Sequence, residues 1–146
     1  MINREFIGHT LPSSVLDIER GRLKFFAKAI GETDPVYFDE AAARTAGHPD
    51  LPAPPTFLFS ADLDTGALEG MLTTLKVDFN RVLHGEQDFT YKRMVYAGER
   101  ITVHSKITDI YDKKNGALEF IVKQSQAVDA KGEVVAELRC SLVVRN

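Results

Sequence analysis

The chain of 146 residues is 44% hydrophobic and 27% charged and carries a formal net charge of −3, the balance of one globular domain over 1–146 that can bury a core without metal or disulfide staples. No basic block suits nucleic acid, and no apolar run approaches the ~18 residues of a membrane helix. The single cysteine, Cys140, excludes an intramolecular disulfide; with an N-terminus lacking the apolar run of a secretory signal, it predicts a reducing cytoplasm.

A short strand is expected near 7–16. Over 19–30, the apolar residues Leu23, Phe26, Ala27 and Ile30 recur at helical spacing. Asp17 stands where it could cap this helix, and Gly31 where it would end. Residues 31–37 read Gly-Glu-Thr-Asp-Pro-Val-Tyr, a polar loop between two helix ends, and a second short helix is predicted over 39–46 from Asp39 to Gly47. Four prolines between 49 and 55 forbid helix and favour an extended path. Proline suits the first turn of a helix, so Pro55 should open the apolar helix that follows (Thr56-Phe57-Leu58-Phe59-Ser60-Ala61-Asp62-Leu63). Asp64-Thr65-Gly66 should weaken it, and a further helical piece is expected over 67–72.

After residue 80 the period becomes two. Val134, Ala136, Leu138, Cys140, Leu142 and Val144 share one face; Ile101, Val103, Ser105 and Ile107 form a second alternating set, and Leu118, Phe120 and Val122 a third. Gly-containing turns at 112–116 and 129–133 read as hairpin connections. Helices followed by antiparallel strands argue an α+β fold. Strands such as 101–111 would leave exposed edges, which favours a dimer or larger assembly.

In the stretch 83–91, an extended chain would place His84, Glu86, Asp88 and Thr90 on one side. His84 could then act as general base with Glu86 orienting it, because histidine changes charge most readily near neutrality. The alternative is a histidine in a hydrogen-bonded turn beside a solvated glutamate. The amides near Pro55, Thr56 and Phe57 could polarise a carbonyl, or simply start a helix. Glu32, Asp34 and Tyr37 could hold substrate; Asp34 could equally only begin a turn. No histidine pair has metal-ligand spacing, and one cysteine builds no zinc site. Lys92, Arg93 and Arg100 read as a solvated rim, or as contacts to phosphates.

Four stretches in order (Phe26–Tyr37, Ala53–Phe57, Leu83–Gln87 and Phe89–Ile101) make the chain resemble the N-terminal MaoC-like dehydratases. The resemblance implies a hotdog fold, an antiparallel sheet wrapped around the apolar helix beginning near Pro55. It implies an acyl-thioester substrate interconverted between 3-hydroxyacyl and 2-enoyl forms, with coenzyme A or phosphopantetheine entering only as part of that substrate. Active MaoC-type hydratases carry Gly-Asp-x-Asn-Pro-(aliphatic)-His. On this chain the Asp falls on Glu32, the Asn on Asp34 and the His on Tyr37, so the Asp–His pair is absent. Two further readings follow: a non-catalytic acyl-binding subunit with a MaoC-type partner, and a hotdog thioesterase using Asp34 or Glu86.

Overall fold

A five-stranded sheet organises the molecule, in the order β1-β3-β4-β5-β2 with every pair antiparallel. Its strands are β1 (Ser14–Asp17), β2 (Val82–Tyr91), β3 (Arg100–Lys113), β4 (Leu118–Val128) and β5 (Val134–Arg145). The computed structural model describes all residues, Met1–Asn146. Four helices precede β2: α1 (Arg20–Ala29), α2 (Glu40–Thr45), α3 (Ser60–Asp64) and α4 (Ala67–Thr74). The α+β order read from the sequence is the one observed.

The helices cover the inner face of the sheet in two blocks. Phe57, Leu58 and Ala61 pack on Ile101, Val103, Ala127, Val135 and Ala136. Met71, Leu72 and Leu75 pack on Ile107, Ile121, Cys140 and Leu142. Between the blocks the helical path breaks at Gly66, whose φ of 73° is one that glycine adopts without penalty. The expected apolar helix is therefore a 3-10 turn (Phe57–Phe59) running into α3, and the weakening at 64–66 is a real break.

Three local expectations are corrected. Asp17 does not cap α1: it ends β1 and forms a two-pronged ion pair with Arg100, while the N-cap position is Glu19. On β4 the face that meets the helices is Glu119, Ile121, Lys123, Ser125 and Ala127 rather than Leu118, Phe120 and Val122, of which Val122 alone is buried, at 4% exposure. Two buried charged side chains disguised the inner face, and Phe120 instead stacks on Tyr111, with ring centroids 4.7 Å apart. The edge expected at β3 is only partly open, since β1 pairs with Arg100–Val103 and Thr10 bridges Lys106; β2 is an edge along all its 10 residues.

The charged residues on β4's inner face have partners. Glu119 accepts from the backbone N–H of Ile2 at 2.7 Å and from Asn146 Nδ2 at 2.7 Å. Lys123, 5% exposed, forms an ion pair with Asp62 of α3. Beside it Cys140 is buried as a free thiol, which desolvation pushes up from 9.0 to about 11.

Candidate active site

β2 carries most of the candidate chemistry, and one glycine decides how it is displayed. His84 lies opposite Leu142 of β5, Glu86 opposite Ser141 and Gln87 opposite Cys140, so the ladder slips at Gly85. Opposed residues on paired antiparallel strands share a face. His84, Gln87, Phe89 and Tyr91 therefore face inward with Leu142, Cys140, Leu138 and Ala136. Glu86, Asp88 and Thr90 face outward. A β-bulge inserts an extra residue and reverses the alternation, which is why His84 and Glu86 do not share a side. Glu86 instead pairs with Arg139 Nη1 at 3.0 Å, on the outer face. The expected His84–Glu86 pair is not formed.

The inner face of β2 runs along the start of the central helical path. At one end the Tyr91 hydroxyl donates to the Pro55 carbonyl at 2.6 Å. At the other, the His84 ring meets Phe59 edge-on with centroids 5.0 Å apart. His84 Nε2 lies 3.4 Å from Gln87 Oε1, so Gln87 takes the place expected of Glu86. Desolvation pushes the Tyr91 phenol up to about 12, so it remains a donor. Between these two anchors the Phe57 amide donates to the Pro54 carbonyl at 2.9 Å, while the amides of Thr56 and Leu58 donate to no group of the chain. Pro55 and Thr56 are exposed and Phe57 is buried.

The loop from Glu32 to Tyr37 forms a separate polar cluster. Glu32 Oε1 accepts from the backbone N–H groups of Thr33 and Asp34 at 2.8 and 3.0 Å, and Asp34 Oδ1 accepts from that of Val36 at 3.1 Å. Asp34 thereby caps the 3-10 turn Pro35–Tyr37. Burial, followed by the charges of Glu32 and Asp34, raises the Tyr37 phenol above its ordinary value, so Tyr37 too stays protonated. This cluster rests on α1 and α2 and makes no hydrogen bond to His84 or to 55–58. Its link to the site is α1, whose Phe26 packs edge-on against Phe57 at 5.3 Å.

The rim cations are taken up internally. Arg93 binds Glu99 and Asp129 at 2.7 and 2.9 Å, and Arg100 binds Asp17. No cluster of three or more His, Cys, Asp or Glu residues could hold a metal ion. No helix is long and apolar enough to cross a membrane.

The family model for the FAS1-like, dehydratase domain region matches residues 5–138. The chain belongs to that family. The FAS1-like chain is 39% identical over 145 residues to a UPF0336 protein of Parafrankia sp. (strain EAN1pec), covering 99% of this chain and 95% of the relative. Its fold is similar to that of the C-terminally truncated HadBC (3R-hydroxyacyl-ACP dehydratase) complex from Mycobacterium tuberculosis, with a TM-score of 0.79, 23% identity and coverage of 94% of this chain and 96% of that one. A MaoC-like dehydratase gives a TM-score of 0.82 at 23% identity, covering 97% of this chain and 42% of that longer one. These likenesses establish the hotdog architecture expected from the sequence.

Sequence reasoning missed Gln87, Tyr91 and Phe59 as parts of this arrangement. A signal for the first was present: glycine inside a strand often marks a bulge, and a bulge at Gly85 exchanges Glu86 for Gln87 on the face of His84.

Proposed function

We infer that the chain hydrates 2-enoyl thioesters to 3-hydroxyacyl thioesters and catalyses the reverse dehydration. The observation that carries this reading is His84 on the inner face of β2, against Phe59 where the central helical path begins. Gln87 Oε1 only accepts, so it favours the tautomer with hydrogen on Nε2 and leaves Nδ1 free as a base. Nδ1 takes a proton from water as the water oxygen bonds to Cβ. The carbon–carbon π electrons shift toward the thioester oxygen, and the proton is then delivered to Cα. The free amides of Thr56 and Leu58 suit the developing oxyanion, since preorganised donors act most strongly where charge appears. The phenol of Tyr37 serves as a donor on the α1 side, within the loop held by Glu32 and Asp34.

In one chain this site is open: His84 is exposed on the strand that forms the sheet's free edge, and Pro55 and Thr56 are exposed where the central helical path starts. A second chain alongside β2 would close it. That chain is a second copy in the leading reading. In the second reading it is a MaoC-type partner that supplies the missing Asp–His pair, and this chain binds the acyl group; Tyr37 in the position of the hydratase histidine favours that reading. The HadBC neighbour, a complex by name, supports assembly of either kind.

The test is to follow enoyl absorbance of crotonyl-coenzyme A with the purified chain and with His84→Ala. Hydration is expected, falling about 10²-fold or more in the variant, the scale of a lost general base. Equal rates in both proteins would remove His84 from the mechanism. Activity only after adding an Asp–His subunit would establish the second reading, and free thiol release would indicate a thioesterase.

A further inference from the structure

A cavity of about 510 Å³, which shares no lining residue with the His84 site, lies between the segment Leu11–Val15 and the α3–α4 break, with Ser105 and Lys123 at its floor. Ligand sites typically enclose ~300–1,000 Å³. Lys123 is the only charged residue lining it; its partner Asp62 does not line it. An ammonium carries three N–H donors, and Asp62 takes one. The other two have no acceptor in the chain. Ser105 and Ser125 share one hydrogen bond of 2.8 Å between their hydroxyls, which leaves one O–H hydrogen over. The ammonium thus keeps N–H donors free at a buried floor, and unmade bonds to a buried charge are expensive. The walls above are apolar at Leu11, Val15 and Met71.

We propose that this cavity binds a short aliphatic carboxylate, its oxygens on Lys123 Nζ and the Ser105 hydroxyl and its chain along Leu11, Val15 and Met71. A carboxylate offers two oxygens with about four lone-pair sites and no donor, which matches the free N–H groups of Lys123. Asp62 holds the ammonium from outside the lining, and the lining itself carries no carboxylate that would repel an anion. The site lies apart from the thioester chemistry and does not depend on it.

Calorimetric titration of the full chain with hexanoate at neutral pH tests it. Hexanoate binds, and methyl butyl ketone, a neutral molecule of similar size, binds about tenfold more weakly, as expected when a charge-assisted hydrogen bond is absent. Lys123→Met weakens hexanoate by about tenfold or more. Because that variant strands Asp62, a second one keeps the ion pair intact. Gly70 lines the cavity on α4, and a Cβ added there meets nothing within 4 Å, so Gly70→Leu starts a bulky side chain at the cavity from an unobstructed position. It is expected to keep the wild-type Tm or exceed it and to lose hexanoate binding. No binding by the wild-type chain, unchanged binding in Gly70→Leu, or equal binding of the ketone would each overturn the proposal.

Discussion

Gly85 fixes which side chains of β2 meet the interior. A Cβ built there would lie 2.9 Å from the Ser141 carbonyl oxygen and 3.0 Å from Val143 Cγ2. The first neighbour is backbone of β5, a strand paired on both sides, and cannot turn aside. Gly85→Ala should destabilise the chain by about 1–3 kcal/mol in urea unfolding and lower hydratase activity as well, because relief of the clash moves His84 away from Phe59. The sequence displayed His84 and its glycine, but a period of two cannot say where it slips, so Glu86 read as the partner and Gln87 did not. Tyr91 is the second decisive residue. Tyr91→Phe leaves the Pro55 carbonyl without its donor and should cost about 1 kcal/mol near neutrality. The folded phenol holds its proton to about 12 whereas a free one releases it near 10.0. Between those values the unfolded chain binds fewer protons than the folded one, so stability falls as pH rises through that window. Denaturant midpoints measured across it should drop for the wild type, and Tyr91→Phe should lack that contribution.

At the scale of elements, the break between α3 and α4 was legible and the facing of β4 was not. Asp64-Thr65-Gly66 combines residues that leave helices easily with one that adopts positive φ, and the chain turns there. Gly66→Ala forces a side chain into the left-handed region and should destabilise by about 1 kcal/mol, read as a lowered denaturation midpoint with an unchanged slope. By contrast, β4 hides its inner face because Glu119 and Lys123 occupy core positions where apolar residues are the rule. Only their partners, Asn146 and the amide of Ile2 for one and Asp62 for the other, make those positions tenable, and all three lie far away in sequence. The short helix α2 was readable from its cap: Asp39 Oδ1 accepts from the Ala42 amide at 2.7 Å, as a helix-starting aspartate should.

At the scale of the whole molecule, the sheet is unequal at its two ends. β1 is a strand of 4 residues, whereas β2 presents 10 residues of unpaired edge. A long open edge invites another strand. Leu83 on that edge is 47% exposed and Phe79 just before it 63%, apolar surface that a second chain would cover. Sedimentation equilibrium should therefore show a species larger than one chain. Leu83→Lys should shift it toward monomer, leave the circular dichroism unchanged and reduce hydration in parallel with the loss of assembly. An active monomer would separate catalysis from association. The α+β order and the hotdog wrap could be read from a change of period and a resemblance; which edge stays open could not, since it depends on a strand order that no local pattern records.

The single thiol beneath α4 turns the protein into its own gauge of breathing. Cys140 sits among Met71, Leu72 and Ile121 with its thiol held to about 11, so hardly any thiolate exists at neutral pH and what exists is shielded. A thiol-reactive dye can modify it only when α4 lifts from the sheet. The labelling rate then counts those excursions directly, and any agent that clamps the helix down will slow the colour.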